Sequence, residues 1–395
     1  MTIQDGRVKL LFLFPGMVMG GAERHGLDLM RRLRRAGYDT SLVIYGHNST
    51  GGMEAIVRSE GAVLLGITGM SRPAGWVRVC RELRRQDADV IFCVNHTVAV
   101  VATVLQRLGL IRAKNICIFH TTILQPNDQR NFPLFRWVAK GLDVLVYVSA
   151  TQQQYWRSTG LRALRDLRIA NGIDLDQFGE PPSPPKVTRA SLGLDAHDYV
   201  IGIVAGLRPE KNHEELIEAL AILRNAGLPA KVLIVGEGAR RVAIQARTTE
   251  LGLGDHVIFA GEQADVRPYV RLCDVCVLCS TTESFSLAAM EALALGVPFV
   301  SSQVGGMAEI VQPEVNGLLY PSGDPAALAE RLSRLSRPEV REPIRAAARA
   351  SILAYGVDRM VDQYVELVSS LTDVVSRRSP PTMQESPALS EPGPS

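Results

Sequence analysis

Short aliphatic and β-branched runs alternate with segments of helical periodicity along most of the chain. A first series of runs covers residues 9–14, 40–45, 90–94, 115–119 and 144–148. A second covers residues 200–204, 231–235, 257–260, 275–279 and 298–301. Helical patterns lie between them, for example over residues 22–36, 214–225 and 241–251. Continuous apolar strands separated by helices predict parallel sheets, because such strands are buried on both faces. Two series therefore predict an α/β chain of two Rossmann-like domains.

Between the series, Pro181-Pro182-Ser183-Pro184-Pro185 continues neither pattern and reads as a linker. This sets a first domain at 1–179 and a second at 186–355. Residues 346–353 and 357–375 read as further helices. In the latter, Val357, Met360, Val361, Tyr364, Val365 and Val368 recur at i, i+3, i+4, i+7 and i+8 and form one apolar stripe. The second domain has helices enough of its own, so this one needs another surface to cover. Residues 376–395 are rich in Pro, Ser and Glu, with few bulky side chains, and are expected to form a disordered, dispensable tail.

Composition narrows the class. The 395 residues are 46% hydrophobic and 21% charged, as in ordinary globular proteins of two or three domains. Net charge is only +2, yet residues 1–179 carry 23 basic against 14 acidic side chains, and the remainder 20 against 27. A basic first half is expected to meet anionic material. Its charges are spread over helices without interleaved aromatics, which argues against nucleic acid. Cys273, Cys276 and Cys279 tempt a metal reading. They fall on and beside a predicted strand, where residues three apart face opposite sides, so core packing is expected and no metal site. Arg7 and Lys9 precede an apolar stretch, but Pro15, Gly16, Gly20 and Gly21 break it, and a strand entering a glycine turn fits better than a signal peptide. No run of about 18 clean apolar residues exists to span a bilayer. A cytoplasmic chain is expected, with a peripheral contact at the inner membrane face open to Arg31, Arg32, Arg34, Arg35, Arg81, Arg84 and Arg85.

The chemistry concentrates after the strand predicted at 275–279. There the chain reads Glu283-Ser284-Phe285-Ser286-Leu287-Ala288-Ala289-Met290-Glu291, two glutamates flanking seven residues. Ligands of open α/β sheets bind at the carboxyl ends of strands. A helix starting near Ser286 would offer amides without intrahelical partners, at the positive end of its dipole, to a diphosphate. Glu283 precedes the helix on the ligand side. Glu291 lies more than a turn inside an apolar string, placed to accept hydrogen bonds from ribose hydroxyls.

This segment resembles the E-x7-E signature of the family 4 retaining glycosyltransferases, with Ser284 and Ser286 where those sequences usually carry glycine. Similar correspondences run along the chain in order. Gly20-Gly21-Ala22-Glu23-Arg24 is similar to the family's G-G-x-E-R turn, and His120 to its strand-end histidine. Asn171-Gly172-Ile173-Asp174 precedes the linker as N-G-I-D does there. The segment at 201–211 resembles G-R-L-x-x-x-K, and Gly305-Gly306-Met307-Ala308-Glu309 the G-G-x-x-E turn. One departure matters: Gly206 occupies the position of the usual arginine, and Arg208 stands two residues later.

The resemblance implies a GT-B fold whose last helix, 356–375, crosses back to the first domain. It implies metal-independent, retaining transfer of a hexose from a nucleoside diphosphate sugar, with no cofactor. The acceptor would be a glycan, a lipid-linked or a small molecule, in cell-surface polysaccharide or glycolipid biosynthesis. His120 and Glu283 become the candidate catalytic residues. Gly20, Gly21, Arg208, Lys211, Ser286, Leu287 and Glu291 become the candidate donor contacts, with Asn171 and Glu309 as further candidates. A nucleotide-sugar epimerase and a catalytically inactive nucleotide-sugar-binding protein stay open as alternatives.

Overall fold

The computed structural model describes residues 7–16, 20–46, 58–67, 73–122, 132–179 and 187–378. Seven strands form the first sheet: β1 (Lys9–Phe14), β2 (Asp39–Ile44), β3 (Val63–Leu64), β4 (Val90–Val94), β5 (Lys114–Phe119), β6 (Val144–Tyr147) and β7 (Arg165–Arg168). Six form the second: β8 (Tyr199–Val204), β9 (Ala230–Val235), β10 (Val257–Gly261), β11 (Val275–Leu278), β12 (Phe299–Ser302) and β13 (Gly317–Tyr320). Their orders are β3-β2-β1-β4-β5-β6-β7 and β10-β9-β8-β11-β12-β13, and the paired strands run parallel. Parallel pairing requires crossover connections, and helices supply them. In the first domain these are α1 (Gly21–Arg35), α2 (Pro73–Gln86), α3 (His96–Arg107), α4 (Phe132–Ala139) and α5 (Ala150–Ser158). The second has α6 (His213–Asn225), α7 (Arg241–Glu250), α8 (Arg267–Val270), α9 (Leu287–Ala294), α10 (Met307–Ile310), α11 (Pro325–Ser336) and α12 (Pro338–Ser351).

Strand orders that reverse at β1/β4 and at β8/β11 are those of doubly wound sheets, as the two apolar series predict. Three strands were not expected. β7 alternates charge with a single leucine and is an edge strand with exposed ends, β3 has two residues, and β13 is a four-residue run. None is long enough to show a period. Cys276 lies among one core cluster and Cys279 in the cluster on the opposite face, and all six cysteines are free. Cys273 joins Cys276 on its side, so the third sulfur is the one the strand carries away.

The last helix, α13 (Val357–Arg378), packs on α1 and β4 of the first sheet. Its stripe is buried as the spacing predicts: Val357, Met360, Tyr364 and Val368 are closed off from solvent, while Val361 and Val365 are half-buried against the same core. The Tyr364 ring meets Phe92 edge-on at 5.9 Å, and Phe92 stacks on Phe12 at 4.7 Å. The helix continues to Arg378, past the tail boundary expected at 376. The rest of that tail and the proline linker lie outside the described residues.

The chain thus passes between domains twice, and the passages are joined. Ile173 N–H donates to the Tyr355 carbonyl and Val357 N–H to the Ile173 carbonyl, both at 2.9 Å. A Cβ at Gly172 would come within 2.6 Å of the Val357 backbone, so only glycine allows the approach. Met360 Sδ accepts from Gly172 N–H at 3.1 Å and lies 3.2 Å from His25 Nε2. Arg349 donates to the carbonyls of Leu175 and Ala294 at 2.9 and 3.0 Å, tying the first passage to α9. Tyr364→Ala opens a cavity beneath both passages. A loss of about 3–5 kcal/mol, typical of a buried aromatic, is expected in urea unfolding of the full chain. A change below about 1 kcal/mol would mean that α13 contributes little to the first core.

Candidate functional site

The carboxyl ends of both sheets open onto one cleft of about 810 Å³. From the first domain come Gly20 and Gly21 at the start of α1, Asn95 after β4, His120 and Thr121 after β5, and Asn171. The second contributes Gly206, Arg208 and Lys211 after β8, the Glu283–Ala288 loop after β11, and Glu291 on α9. Of the eleven expected site residues, ten line this one cleft. Glu309 does not.

Lys211 Nζ lies 2.7 Å from Glu283 Oε2, and both side chains are largely sheltered. Each charge offsets the desolvation of the other. Arg208 folds back over the departure from the family pattern: its Nε lies 3.3 Å from where a Cβ on Gly206 would be. The guanidinium therefore fills the space a side chain at 206 would enter, and reaches the cleft from two residues later. Its Nη2 also lies 3.8 Å from the Cβ position of Gly20, so it spans towards the opposite wall.

Ser286 caps α9, its Oγ accepting from Ala289 N–H at 3.3 Å. The amides of Leu287 and Ala288 have no partner among the described residues and face the cleft end of the helix. Leu287 approaches the other wall, its Cδ1 being 4.0 Å from the Cβ position of Gly21. Larger side chains at Gly21 would close that gap.

Glu291 sits deep, and burial pushes its carboxyl up to about 7; nearby Arg24 pulls it down and Asp265 pushes it up, both more weakly. His120 ends β5 with its N–H donated to Asn95 Oδ1 at 3.2 Å, and its ring meets His25 edge-on at 5.1 Å. Burial and the neighbouring His25 hold its pKa well below the ordinary histidine value. His25 is lowered by burial to about 4. Both rings are neutral at neutral pH, so His120 can donate or accept a hydrogen bond there but brings no positive charge. Its Nε2 has no partner among the described residues. Asn171 donates to the Phe285 carbonyl at 3.3 Å, coupling the first chain passage to the Glu283 loop.

Glu309 corrects an expectation. Its carboxylate accepts from Ala150 N–H and Thr151 N–H, both at 3.0 Å, and from the Thr151 hydroxyl at 3.1 Å. It caps α5 in the other domain and is fully engaged there. The basic face is corrected in part as well. Arg31 and Arg34 share Glu60, Arg32 holds Asp28 and Asp174, and Arg85 pairs with Glu82. Arg81 and Arg84 instead line an apolar groove of about 660 Å³ between α2 and α3. Asn95 was not anticipated. Its place directly after the 90–94 run was legible, but its left-handed backbone, at φ +73, was not. Among the described residues, no group of three or more His, Cys, Asp or Glu is arranged to hold a metal ion, and no helix is long and apolar enough to cross a membrane.

Two family models match the chain: Glycosyltransferase Family 4 over residues 19–177 and Glycosyl transferases group 1 over residues 186–351. A D-inositol 3-phosphate glycosyltransferase of Saccharomonospora viridis is 32% identical over 211 residues, 50% of this chain and 48% of that one. The N-acetyl-alpha-D-glucosaminyl L-malate synthase of Bacillus anthracis is 29% identical over 45% of this chain and 46% of its own. These matches thus span about half the length of such relatives. Among solved structures, HepE of Anabaena in complex with UDP-glucose superposes with a TM-score of 0.80 at 24% identity, covering 92% of this chain and all of HepE. Sucrose-phosphate synthase of Thermosynechococcus elongatus gives 0.78 at 21% identity over 93% of this chain and all of its own. At these identities the likeness establishes the shared GT-B fold.

The Glu291 carboxyl yields a prediction with a fixed sign. Between about 4.5 and 7 the folded chain holds this proton where the unfolded chain has lost it. The contribution is therefore favourable at low pH and is lost as pH rises through that window. At 1.36 kcal/mol per pKa unit it amounts to about 3 kcal/mol at most. Glu291→Gln should remove this loss, gaining stability over the parent at pH 8 relative to pH 5 in urea titrations. Parallel pH profiles for the two proteins would mean that Glu291 ionises normally.

Proposed function

As the chain belongs to the group 1 / family 4 glycosyltransferases, we propose that it moves a hexose from a nucleoside diphosphate sugar to an acceptor, with retention at the anomeric carbon and without a metal. The observation that carries this reading is the convergence of Lys211, Arg208, Glu283, Glu291 and the start of α9 on one cleft. The donor would lie against the second domain, at 186–355, and the acceptor would enter from the first, at 1–179. The helix at 356–375 would act as the strut between them. A glycan, lipid-linked or small-molecule acceptor in cell-surface polysaccharide or glycolipid biosynthesis completes the reading.

Each residue has a task in that scheme. Glu291 accepts the ribose hydroxyls. On donor binding its carboxylate form is favoured, so the proton it holds in the free protein is released. The diphosphate takes Lys211 from Glu283 and meets Arg208 together with the Leu287 and Ala288 amides. As the bond between the anomeric carbon and the diphosphate oxygen breaks, negative charge grows where these donors already point. The acceptor oxygen bonds to the anomeric carbon on the face the diphosphate leaves, and the acceptor proton passes to the departing diphosphate oxygen. Glu283, released from Lys211, and neutral His120 orient the sugar. Gly20 and Gly21 leave room for the diphosphate, and Asn171 fixes the loop that carries Glu283. Lys211, Arg208 and the helix amides supply the positive potential that this family of reactions requires, which supports metal independence. The similarity to HepE, solved with UDP and with UDP-glucose, makes uridine donors the first to try.

A panel of uridine and guanosine diphosphate sugars, scored by calorimetric binding and by nucleoside diphosphate release, tests this. At least one donor should bind and turn over, with the anomeric configuration kept in the product and with chelator present. Lys211→Ala should weaken that donor at least about ten-fold, the loss of one charge-assisted hydrogen bond. A panel without binding overturns the reading, and strict dependence on a divalent ion overturns the metal-independent step.

We also propose a peripheral contact with an anionic membrane through the groove between α2 and α3. Support comes from its composition: Val77 and Leu108 are 57% and 66% exposed beside Arg81 and Arg84. Apolar side chains next to guanidinium groups suit the boundary between lipid tails and anionic headgroups. Co-sedimentation with phosphatidylglycerol-containing vesicles at low salt should exceed that with phosphatidylcholine alone, and the Arg81→Glu/Arg84→Glu protein should lose the difference. Equal sedimentation with both vesicles would sink this part.

A further inference from the structure

We infer that Ser284 is a positioning residue that clasps the two domains together at His120, and that Glu309 is the second prong of the same clasp. The inference rests on the reading that His120 faces the transferred sugar. Its observations are separate from that reading.

The backbone around His120 is held at every turn. Asn95 Oδ1 accepts the His120 N–H, Gln152 Nε2 donates to the carbonyls of Phe119 and Thr121 at 2.7 and 2.8 Å, and Trp156 Nε1 donates to Thr121 at 2.8 Å. All of these partners belong to the first domain. The His120 carbonyl is different: its donor is the Ser284 hydroxyl, from the loop after β11 in the second domain. Thr122 Oγ1 lies 2.6 Å from the same Ser284 oxygen. Each hydroxyl has one proton, so the chain has one consistent direction, from Thr122 to Ser284 to the His120 carbonyl.

Glu309 grips a nearby element from the same side. Its carboxylate on the Ala150 and Thr151 amides holds the start of α5, the helix whose Gln152 fixes the end of β5. The Tyr355 hydroxyl donates to the Glu309 carbonyl at 2.9 Å, joining this prong to the second chain passage. Both prongs bond across the interface, so both depend on the domain register this structure shows. That register sets the position of His120 relative to Glu283, the residue next to Ser284.

Ser284→Ala, Ser284→Thr and Thr122→Val, each checked for a cooperative melt, test the clasp by two readouts. In Ser284→Ala, kcat should fall about ten-fold, the worth of one interdomain hydrogen bond, while donor Kd stays within two-fold. Ser284→Thr, which keeps the hydroxyl, should restore most of it. Amide exchange at Ala150 and Thr151 should quicken in Ser284→Ala although Ser284 touches neither, because opening at one prong loosens the other. Thr122→Val should show the same pattern more weakly, and serves if the alanine variant does not fold. Unchanged exchange at Ala150 and Thr151 overturns the clasp whatever the kinetics. A kcat within two-fold of the parent, with exchange quickened, overturns the positioning of His120. Absence of any transferase activity in the parent protein would count against the proposed function, and the exchange result would still decide the clasp.

Discussion

The apolar surface over β1 and β4, which α1 covers only in part, is the constraint on which the rest of the structure depends. Phe12 and Phe92 stack there, and the side chains that close the gap belong to the far end of the chain, in α13. Met360, Tyr364, Leu367 and Val368 are each at most 3% exposed. Burial at about 1.5–3 kcal/mol for each large side chain outweighs any single hydrogen bond in the hinge, worth about 1 kcal/mol. The chain must therefore return to the first domain after building the second, and the return brings Val357 against Gly172 and Met360 against His25. Cleft geometry is thus set by apolar burial directly behind the residues that line it.

Within the cleft the charges are arranged to be rearranged. Lys211 and Glu283 neutralise one another, burial raises Glu291 towards its neutral form, and both histidines are neutral. A cleft containing bare Lys211 and bare carboxylates would carry the full desolvation cost of each ion. In the donor-binding role proposed above, an entering diphosphate would replace Glu283 as the partner of Lys211, exchanging one ion pair for another. Arg208 contributes to this balance from an unusual place. With Gly206 beneath it, its guanidinium folds into space that any side chain at 206 would occupy.

The sequence made the large features legible because they repeat or cluster. Ten of the thirteen strands announced themselves as apolar runs, and the stripe on α13 as a 3.6-residue period. Ten of eleven candidate residues line one cleft because strand ends and a helix start bring them to the carboxyl ends of the two parallel sheets. What stayed hidden depends on neighbours distant in sequence. β7 and β13 are too short for a period and are fixed by pairing with β6 and β12. The arginines of α1 look like one basic face until Glu60 and Asp174 arrive from elsewhere. A bond from Ser284 to the His120 carbonyl is not legible in the sequence, since only the folded chain brings the two together.

Glu309 is the most instructive of these, because the glycines before it have a reason that motif reading alone does not supply. Gly305 has φ +50, and a Cβ there would collide with the Glu283 carbonyl; one at Gly306 would collide with that of Ser284. The pair lets the turn lie directly on the Glu283 loop, and from there Glu309 reaches α5. At that helix Ala150 and Thr151 donate to Glu309 and Gln152 to the Ser149 hydroxyl, so its first amides are all engaged. At α9 only the third of the corresponding amides is capped, by Ser286. Two helix starts thus lie close to the domain interface, and one is already occupied by a carboxylate of the protein. An anion entering the cleft meets the open start of α9 beside Lys211, while the competing start of α5 serves to hold the domains together.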